Sequence, residues 1–379
     1  MLPGEPDLPE AIVAPDGRAV NQLFHWLCQR ADARLASEFH AALRQIQLDW
    51  FTRQRGALYC PNCGGQHLIR KGWRARVVTT SRGKLTVNVI QVCCKVCGRT
   101  FRPLNTALGL PTSLRLLEEM ATKAAFLGTQ VSFARAACIL RGLTQGAVSS
   151  EGVRRIVAQR AASIRLPRPE TGQTVLVDAT KVKAGHKERG ESVYLAVTAE
   201  PGPLRHGRPT CQKRLVHLHV GTAIKLKQRL KASGATHVVH DGGEDLEGCV
   251  PHLQRCRWHL GHQLKHYLWQ DGVPHAFRGQ FQEVMTQIVS DPKQGQKRLQ
   301  RWQANLAVIG LKTAAGHLAN AANETFTYAK EPFAYIDTSP LEREMRELNR
   351  RADIGARWSP VGLENVLKLM FHHRLNETW

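Results

Sequence analysis

Two Cys-x-x-Cys pairs near the amino terminus restrict the fold more than any other feature of the chain. The first is Cys60-Pro-Asn-Cys63 and the second is Cys94-Lys-Val-Cys97, and each is followed by a glycine. Glycine permits the tight turn in which backbone amides face a thiolate. Four thiolates at this spacing favour one tetrahedral structural zinc ion. Cys93 competes with Cys94, but only Cys94 keeps the two-residue spacing.

The residues between the two pairs have the pattern of a β-hairpin. The runs RARVVTT and LTVNVIQVC predict two strands around a turn at Ser81–Gly83. Residues 55–105 are therefore predicted to form a zinc ribbon. The alternative, redox-active or buried free cysteines, fits two paired knuckles poorly. The remaining cysteines outside the carboxy-terminal motif described below are predicted to be packing residues: Cys28, Cys138, Cys211 and Cys249.

A strong positive charge restricts the choice of partner. The 379 residues include 53 Lys and Arg against 31 Asp and Glu, a formal charge of +22. Such an excess favours a polyanionic partner, and nucleic acid is the first choice. Charge alone does not separate DNA from RNA, and a ribosome-associated protein or a merely basic surface are the alternatives. We find no apolar run of about 18 residues and no signal-peptide pattern, and therefore expect an intracellular protein without a membrane span.

Helical patterns flank the predicted zinc ribbon. Residues 1–20 are predicted to be a flexible lead, and the apolar pattern of 21–54 predicts a pair of helices, which completes a segment 1–54. Within 106–166, Ser132 is placed to cap a helix that ends at Gly142, and Ser149 or Ser150 to open a second helix.

The second of these helices has an apolar side and a basic side. Its apolar side is predicted to contain Val153, Ile156 and Val157, and its basic side Arg154, Arg155 and Arg160. Two short helices around a glycine-containing turn, the second one basic, resemble a helix-turn-helix, with Arg154 and Arg155 as candidate DNA contacts. A small bundle that only packs on its neighbour is the alternative.

After a proline-rich linker, residues 167–379 have the pattern of an α/β domain. The runs TVLVDAT, ESVYLAVTAE and QKRLVHLHV predict three strands, followed by a helix over about 221–232 and a strand in THVVHDGG. This order predicts a mixed α/β sheet. Asp178 lies within the first of these strands and Asp241 at the end of the last.

These two aspartates are candidate metal ligands. An acid in a buried strand is costly unless it is paired or bound to a metal. Two acids on neighbouring strands suit a site with two divalent cations, and carboxylates favour Mg²⁺ or Mn²⁺. Asp241 is preferred over Glu244, Asp245 and Glu247 because it ends the strand. Spacing alone leaves open that either aspartate only starts a turn.

Four stretches carry a resemblance to a known family: Asp178 in VLVDAT, Asp241 in VVHDGGEDL, Cys256 and His259 in RCRWHLGHQLKHYL, and Glu342 in TSPLEREMRELNRR. Over roughly residues 170–370 the chain resembles the Mutator-like superfamily, which includes bacterial insertion-sequence transposases. The resemblance implies a ribonuclease-H-like domain with an Asp-Asp-Glu triad and an all-helical insertion at about 260–332. It also implies that the Cys-x-x-His element supports the active site and contacts DNA. A zinc ribbon ahead of this domain also occurs in related transposases.

Glu342 has a second interpretation. Ser339-Pro340-Leu341-Glu342 has the pattern of a capping box, with proline at the first helical position. Glu364 is the reserve candidate for the third acid. Glu344 and Glu347 are predicted to point more toward solvent.

The Cys256–His259 element also has an alternative. A closed zinc site there would need a third ligand, such as His262 or His266. Nearby Trp258 and Trp269 are predicted to pack in the core, with stacking on unpaired bases as the alternative.

The sequence thus predicts a DNA transposase of an insertion sequence. Asp178, Asp241 and Glu342 would hold two Mg²⁺ or Mn²⁺ ions, and the zinc ribbon and helix-turn-helix would bind terminal inverted repeats. The partners would be double-stranded DNA, as transposon end and target, and at least one further copy of the chain. The resemblance implies a bacterial cytoplasmic, nucleoid-associated location. Two alternatives remain: a zinc-ribbon DNA-binding regulator derived from an inactive transposase, and a nuclease that cleaves without joining.

Overall fold

The computed structural model describes residues 19–107, 115–184, 190–243, 246–354 and 358–376, with side chains from residue 30 onward within these ranges, except those of residues 32, 106 and 107. The described residues fall into two compact units. One contains those up to Ala124 together with Ala134–Val153. The other contains Ala125–Phe133 and those from Arg154 onward.

The first unit contains a three-stranded sheet in the order β1-β2-β3. Its elements before residue 108 are α1 Ala19–Gln54, a 3-10 turn Arg55–Ala57, β1 Leu68–Thr80, β2 Gly83–Cys94, β3 Thr100–Phe101 and α2 Leu104–Ala107. Strands β1 and β2 pair antiparallel, and Thr80 faces Gly83 across the turn. Gly83 has φ +105°, a conformation that favours glycine. The predicted hairpin is confirmed.

The prediction of two helices over residues 21–54 is wrong, because α1 is one continuous helix of 36 residues. The break in the apolar pattern falls on Gln29, Arg30 and Ala31, which favour helix even without an apolar face. The Gln47 side chain attaches α1 to β2. Its Nε2 donates to the Asn88 carbonyl at 2.8 Å and its Oε1 accepts from Ile90 N at 3.0 Å.

Three further helices follow: α3 Glu118–Gln130, α4 Phe133–Leu143 and α5 Ser150–Ser163. Ser149 Oγ accepts from Gly152 N at 3.0 Å and so satisfies a free amide at the start of α5. As predicted, Val153, Ile156 and Val157 are buried, while Arg154 and Arg155 are exposed. Helix α5 therefore has an apolar and a basic side.

The second unit contains a five-stranded mixed sheet in the order β6-β5-β4-β7-β8. Its elements are β4 Thr174–Val182, β5 Glu191–Arg205, β6 Arg208–Gly221, α6 Ala223–Ser233, β7 His237–His240 and β8 His252–Arg255. Strands β6, β5 and β4 are antiparallel, whereas β4, β7 and β8 are parallel. The predicted α/β fold is confirmed, and β8 is a strand that the sequence did not predict.

The central strands are buried on both faces. Val175 and Val177 pack in one core with Leu226 and Leu230 of α6. The alternate residue Leu176 is also fully buried. Parallel strands covered on both sides have such near-continuous apolar runs.

Four helices follow β8 and form a core of their own. They are α7 Arg257–Gln270, α8 His275–Val289, α9 Gly295–Val308 and α10 Lys312–Ala321. Leu264, Met285, Leu299 and Leu318 meet in this core. Two more helices complete the unit, α11 Glu342–Ala352 and α12 Pro360–Leu375. None of the described helices is both long and apolar enough to cross a membrane.

Candidate functional site

The four cysteines of the two Cys-x-x-Cys pairs meet in the first unit. Their sulfur atoms all lie within 4.8 Å of one another. Cys60 Sγ is 3.6 Å from Cys97 Sγ, and Cys63 Sγ is 3.6 Å from Cys94 Sγ. The cluster can hold a metal ion such as zinc, as predicted.

Backbone turns bring these cysteines together. Gly64 N donates to the Cys60 carbonyl and Gly98 N to the Cys94 carbonyl, each at 2.9 Å. Both glycines have a positive φ, near 70°, which explains why each knuckle ends in glycine. Cys93 lies outside the cluster, because neighbouring residues of a strand point to opposite faces.

The cluster favours at least one thiolate. Hydrogen bonds, first from the Arg99 backbone and then with Cys63, lower the pKa of Cys97 to about 6. A backbone hydrogen bond from Gly65 lowers the pKa of Cys63, but the neighbouring thiols outweigh it and raise this pKa to about 12. Successive deprotonation of crowded thiols is thus increasingly difficult without a cation to compensate the charge.

In the second unit, strand pairing places Asp178 beside Asp241. Val177 of β4 pairs in parallel with His240 of β7, so the aspartates are the next residues on two adjacent strands. Neighbouring strands lie about 4.8 Å apart. Asp178 Oδ1 accepts from Ala179 N at 2.8 Å, and Asp241 Oδ1 accepts from Gly243 N at 2.9 Å.

Burial and several nearby charged groups shift the pKa of Asp178. Burial, and then the negative charge of Asp241, raises the pKa of Asp178 to about 6. Glu342 contributes a further increase, and His259 acts in the opposite direction. The structure thus brings all three acids of the predicted triad into one electrostatic neighbourhood.

Helix α11 positions Glu342 next to β4. Thr180 Oγ1 donates to Asn349 Oδ1 at 3.3 Å and so links the strand to the helix. Glu342 is exposed and lies two turns before Asn349, on the same side of α11. Thr180 shares a strand face with Asp178, two residues earlier. The two elements therefore present Glu342 and Asp178 to the same region.

The capping interpretation of Glu342 is wrong. A 3-10 turn Ser339–Leu341 precedes α11, which begins at Glu342 itself with Leu341 as its cap residue. Within the described part of the chain, neither the turn nor α11 has a side-chain cap hydrogen bond at its start. Ser339 uses its backbone instead, donating to Asp337 Oδ1 at 3.0 Å.

The Cys-x-x-His element is attached to the segment that leads to Glu342. Thr338 N and Oγ1 contact Cys256 Sγ at 3.3 and 3.4 Å, and Thr338 Oγ1 is 3.0 Å from His259 Nδ1. Burial raises the pKa of the Cys256 thiol. Among the described residues, no third ligand joins this pair within the spacing of a metal site. Cys256 and His259 thus position the start of α11 and do not form a closed zinc site.

Two predictions near this element need correction. Trp258 and Trp269 are not core residues, since 46% and 57% of their surfaces are exposed. Trp258 stacks on His262 at 4.9 Å between ring centroids. The apolar side of α7 is filled instead by Leu260, Leu264 and Leu268, which leaves the indoles at the surface.

The prediction that Glu344 points toward solvent is also wrong. Only 2% of this residue is exposed, and it forms ion pairs with Lys213 of β6 and Arg374 of α12. Lys213 Nζ also donates to the Pro340 carbonyl at 2.9 Å. These partners are more than 25 residues away along the chain, so the local pattern gave no sign of them. Glu347 is half-buried and pairs with Arg350 at 2.8 Å.

The reserve candidate Glu364 lies elsewhere. Its Oε2 accepts from Val220 N at 3.1 Å, on β6. Strand β5 separates β6 from β4, which carries Asp178. The geometry thus favours Glu342 over Glu364. Of the rivals to Asp241, Glu244 and Asp245 lie outside the described residues, and Glu247 is exposed.

The three acids are spaced more widely than the cysteines. In the described ranges, the sets of three or more ligand atoms within 4.8 Å of one another do not include this triad. The hard oxygen donors and the mutual repulsion of Asp178 and Asp241 both fit divalent cations such as Mg²⁺ or Mn²⁺.

A groove of roughly 1160 Å³ opens next to Asp241. Its lining includes Gly242, Arg255, Lys265, His266, Trp269 and Arg278. Cationic and aromatic side chains in one groove are the combination that binds nucleic-acid strands.

Gly242, the residue after Asp241, lies too close to Arg255 to carry a side chain. Gly242 has φ +89°, and a Cβ there would lie 1.0 Å from Arg255 Nη1. The Arg255 guanidinium is fixed by Glu324 at 3.2 Å, which also contacts His240 Nε2 at 3.1 Å. Sequence analysis did not single out Arg255 or Glu324; the Gly-Gly pair after Asp241 is the signal that could have indicated a close approach there.

Comparisons with known proteins add no name to this site. No protein-family model matches the chain, and no curated protein matches it.

Proposed function

We propose that this chain is a DNA transposase of the Asp-Asp-Glu type, with Asp178, Asp241 and Glu342 holding two divalent cations. The observation that carries the proposal is that Asp178 and Asp241 directly follow Val177 and His240, which pair across two adjacent parallel strands. Their mutual repulsion, with burial, raises the pKa of Asp178 to about 6. Carboxylates with strongly shifted pKa values are common at functional sites. Bound divalent cations would compensate the repulsion between Asp178 and Asp241.

The sheet supports a ribonuclease-H-like interpretation of the second unit. Three antiparallel strands are followed by two parallel ones, in the order β6-β5-β4-β7-β8. In chain order within the sheet, the first strand is central and carries the first acid. The fourth strand lies beside it and leads into the second acid.

Two basic surfaces support DNA as the substrate. The groove beside Asp241 contains Lys265 and Arg278 with the exposed ring of Trp269. Helices α4 and α5 support a helix-turn-helix, with exposed Arg154 and Arg155 on the second helix. With the cysteine cluster as a zinc ribbon, these helices would read the terminal repeats of double-stranded DNA. Synapsis of two ends would require at least two copies of the chain.

The chain's own residues would orient the reaction. Bound Mg²⁺ or Mn²⁺ would supply the activation of the attacking hydroxyl and the stabilisation of the leaving oxygen. Asp178 and Asp241 would hold the ions on the rigid sheet, and Glu342 would complete the set from α11. Thr338, fixed by Cys256 and His259, would keep the start of α11 in register with the strands. Arg255 would hold the turn after Asp241 in place.

The test begins with DNA selected by the protein itself. A duplex library with a randomised segment is enriched for binding to the full chain, and the enriched duplex is labelled at each 5′ end. Incubation with Mg²⁺ or Mn²⁺ is expected to give cleaved strands and strands joined to a plasmid target. Asp178→Asn and Asp241→Asn should lose both products by at least about 10³-fold while keeping DNA affinity. Asp291→Asn, at the turn before α9, is the matched control and should retain activity.

The products separate the proposal from its alternatives. Binding of wild-type protein without cleavage would support a DNA-binding regulator. Cleavage without joined products would support a nuclease. Cleavage that persists in Asp178→Asn would refute the assignment of that aspartate.

A further inference from the structure

A second group of potential metal ligands lies in the second unit, away from the three acids. His237, His252 and Glu331 each offer one ligand atom, and these atoms all lie within 4.8 Å of one another. His237 begins β7 and His252 begins β8, and the two residues pair across the parallel strands. Asp241 follows the carboxyl end of β7, whereas His237 begins this strand. The group of His237, His252 and Glu331 therefore lies at the opposite end of the strands from Asp241.

The environment of His237 leaves one ring nitrogen for a ligand. His237 is buried, and its Nδ1 lies 2.9 Å from Thr236 Oγ1. Its Nε2 is buried and has no hydrogen-bond partner in the part of the chain that the structure describes. A buried polar atom without a partner destabilises the folded state. A metal ion at Nε2 would remove that destabilisation.

Thr236 can select the required tautomer. Its Oγ1 already accepts from Gly172 N at 3.0 Å and can accept again from Nδ1–H of His237. With the proton on Nδ1, Nε2 presents a lone pair. Metal-binding histidines commonly donate their second N–H to such a partner, which fixes the ring.

The other two ligands approach from the surface. His252 Nδ1 is 3.7 Å from Glu331 Oε1, and about a third of each side chain is exposed. The ring centroids of His237 and His252 are 4.7 Å apart. Phe333 packs edge-on against His237 at 5.0 Å, and Ala334 N donates to Thr174 Oγ1 at 2.9 Å. These contacts hold the segment of Glu331 against the starts of β4 and β7.

We propose that His237, His252 and Glu331 form a second zinc site, with an open fourth position for water. Two imidazoles and one carboxylate are a ligand set that suits Zn²⁺. The ion would connect the first residues of β7 and β8 to Glu331, which follows helices α7–α10 in the chain. The site is distinct from both the cysteine cluster and the three acids.

The test counts zinc in the full-length protein. After loading with Zn²⁺ and dialysis against zinc-free buffer, mass spectrometry of the metal is expected to give two zinc ions per wild-type chain. Glu331→Gln and His252→Gln should each give one. Glu283→Gln, an exposed acid on α8, is the matched control and should give two. The Glu331 side chain is partly exposed, so its amide variant is expected to fold.

Cobalt distinguishes the two zinc sites. Co²⁺ bound by four cysteines gives an intense sulfur-to-metal charge-transfer band, and Co²⁺ bound by histidine and carboxylate does not. Glu331→Gln is expected to keep that band and to lose about half of the bound cobalt. Wild-type protein with the full band but one ion per chain would overturn the proposal. An unchanged zinc count in Glu331→Gln would overturn it as well. Neither readout depends on DNA cleavage.

Discussion

The cysteine cluster and the acidic site are two candidate metal centres built in opposite ways. Each cysteine pair is complete within four residues, so local turns ending in glycine fix half of the cluster at a time. The acids come from β4, from the end of β7 and from the start of α11, and only the folded second unit brings them together. The first centre is therefore expected to depend on a bound metal ion for its structure. The second depends on the fold, and its fold is destabilised by the charges it carries.

The largest effect is expected at the cysteine cluster. Zinc bound to four cysteines contributes on the order of 10 kcal/mol to the folding of a small domain, comparable with the whole stability of many proteins. Cys97→Ser should therefore expose the hairpin of β1 and β2 to proteolysis, while peptides of β4–β8 stay protected. Limited proteolysis with mass spectrometry measures both regions in one sample.

The matched control for this variant is Cys93→Ser, on the strand next to the cluster but outside it. It should leave the hairpin protected and the zinc content unchanged. Equal protection of the hairpin in Cys97→Ser and wild-type protein would show that the cluster does not need its metal. The two centres would then not differ in how far their structure depends on a bound metal.

The next effect concerns the ion pairs that hold α11. Glu344 is buried between Lys213 and Arg374, so Glu344→Gln leaves two cations without their partner. Breaking a buried ion pair in this way costs about 3–5 kcal/mol. Urea unfolding should show this loss for Glu344→Gln. Glu347→Gln removes only a surface pair with Arg350 and should cost less than about 1 kcal/mol. Similar losses in the two variants would contradict the burial of Glu344.

These acids show where prediction from the sequence succeeds. Asp178 and Asp241 are recognised because each lies in or directly after an apolar strand. The cysteine cluster is recognised from spacing alone. Both inferences start from residues within a single strand or turn, whereas the approach of the two strands is a product of the folded sheet.

Prediction fails where a side chain is fixed by distant partners. The sequence placed Glu344 toward solvent because Lys213 and Arg374, on other elements, cannot be read from the pattern of α11. Strand β8 was missed because its four residues, His-Leu-Gln-Arg, have no apolar run, and pairing with β7 alone makes them a strand. The pairing of His237 with His252 could not be predicted either, because it depends on the same contact between β7 and β8.

A smaller effect, of opposite sign, is expected at the acidic site. Burial and Asp241 raise the pKa of Asp178 from 3.8 to about 6, so the ionised carboxylate destabilises the folded state. The difference corresponds to on the order of 3 kcal/mol. In metal-free buffer, Asp178→Asn should therefore be more stable than wild-type protein at pH 7–8.

The destabilisation caused by the Asp178 carboxylate depends on pH. The folded-state pKa of Asp178 lies above its unfolded value, so the destabilisation is absent below about pH 4 and develops as the pH rises to about 6. The advantage of Asp178→Asn should follow this course in thermal unfolding at a series of pH values. The advantage should shrink when Mg²⁺ or Mn²⁺ is added, because the cations compensate the charge in wild-type protein. A variant less stable than wild-type protein at pH 8 would show that the carboxylate is structural.

The smallest effect on stability is expected at the third acid. Glu342 is exposed, and as the first residue of α11 it gains only the helix dipole, about 0.3–1 kcal/mol. Glu364 accepts a hydrogen bond from the backbone of β6, and its loss should cost about 1 kcal/mol or more. Glu342→Gln should thus unfold almost like wild-type protein, and Glu364→Gln slightly earlier. The effects on activity should be the opposite. Glu342→Gln should lose metal-dependent cleavage, and Glu364→Gln should keep it. An acid that contributes little to the fold yet lies beside two repelling aspartates is best explained by its chemistry, and an active Glu342→Gln would transfer that role to another residue.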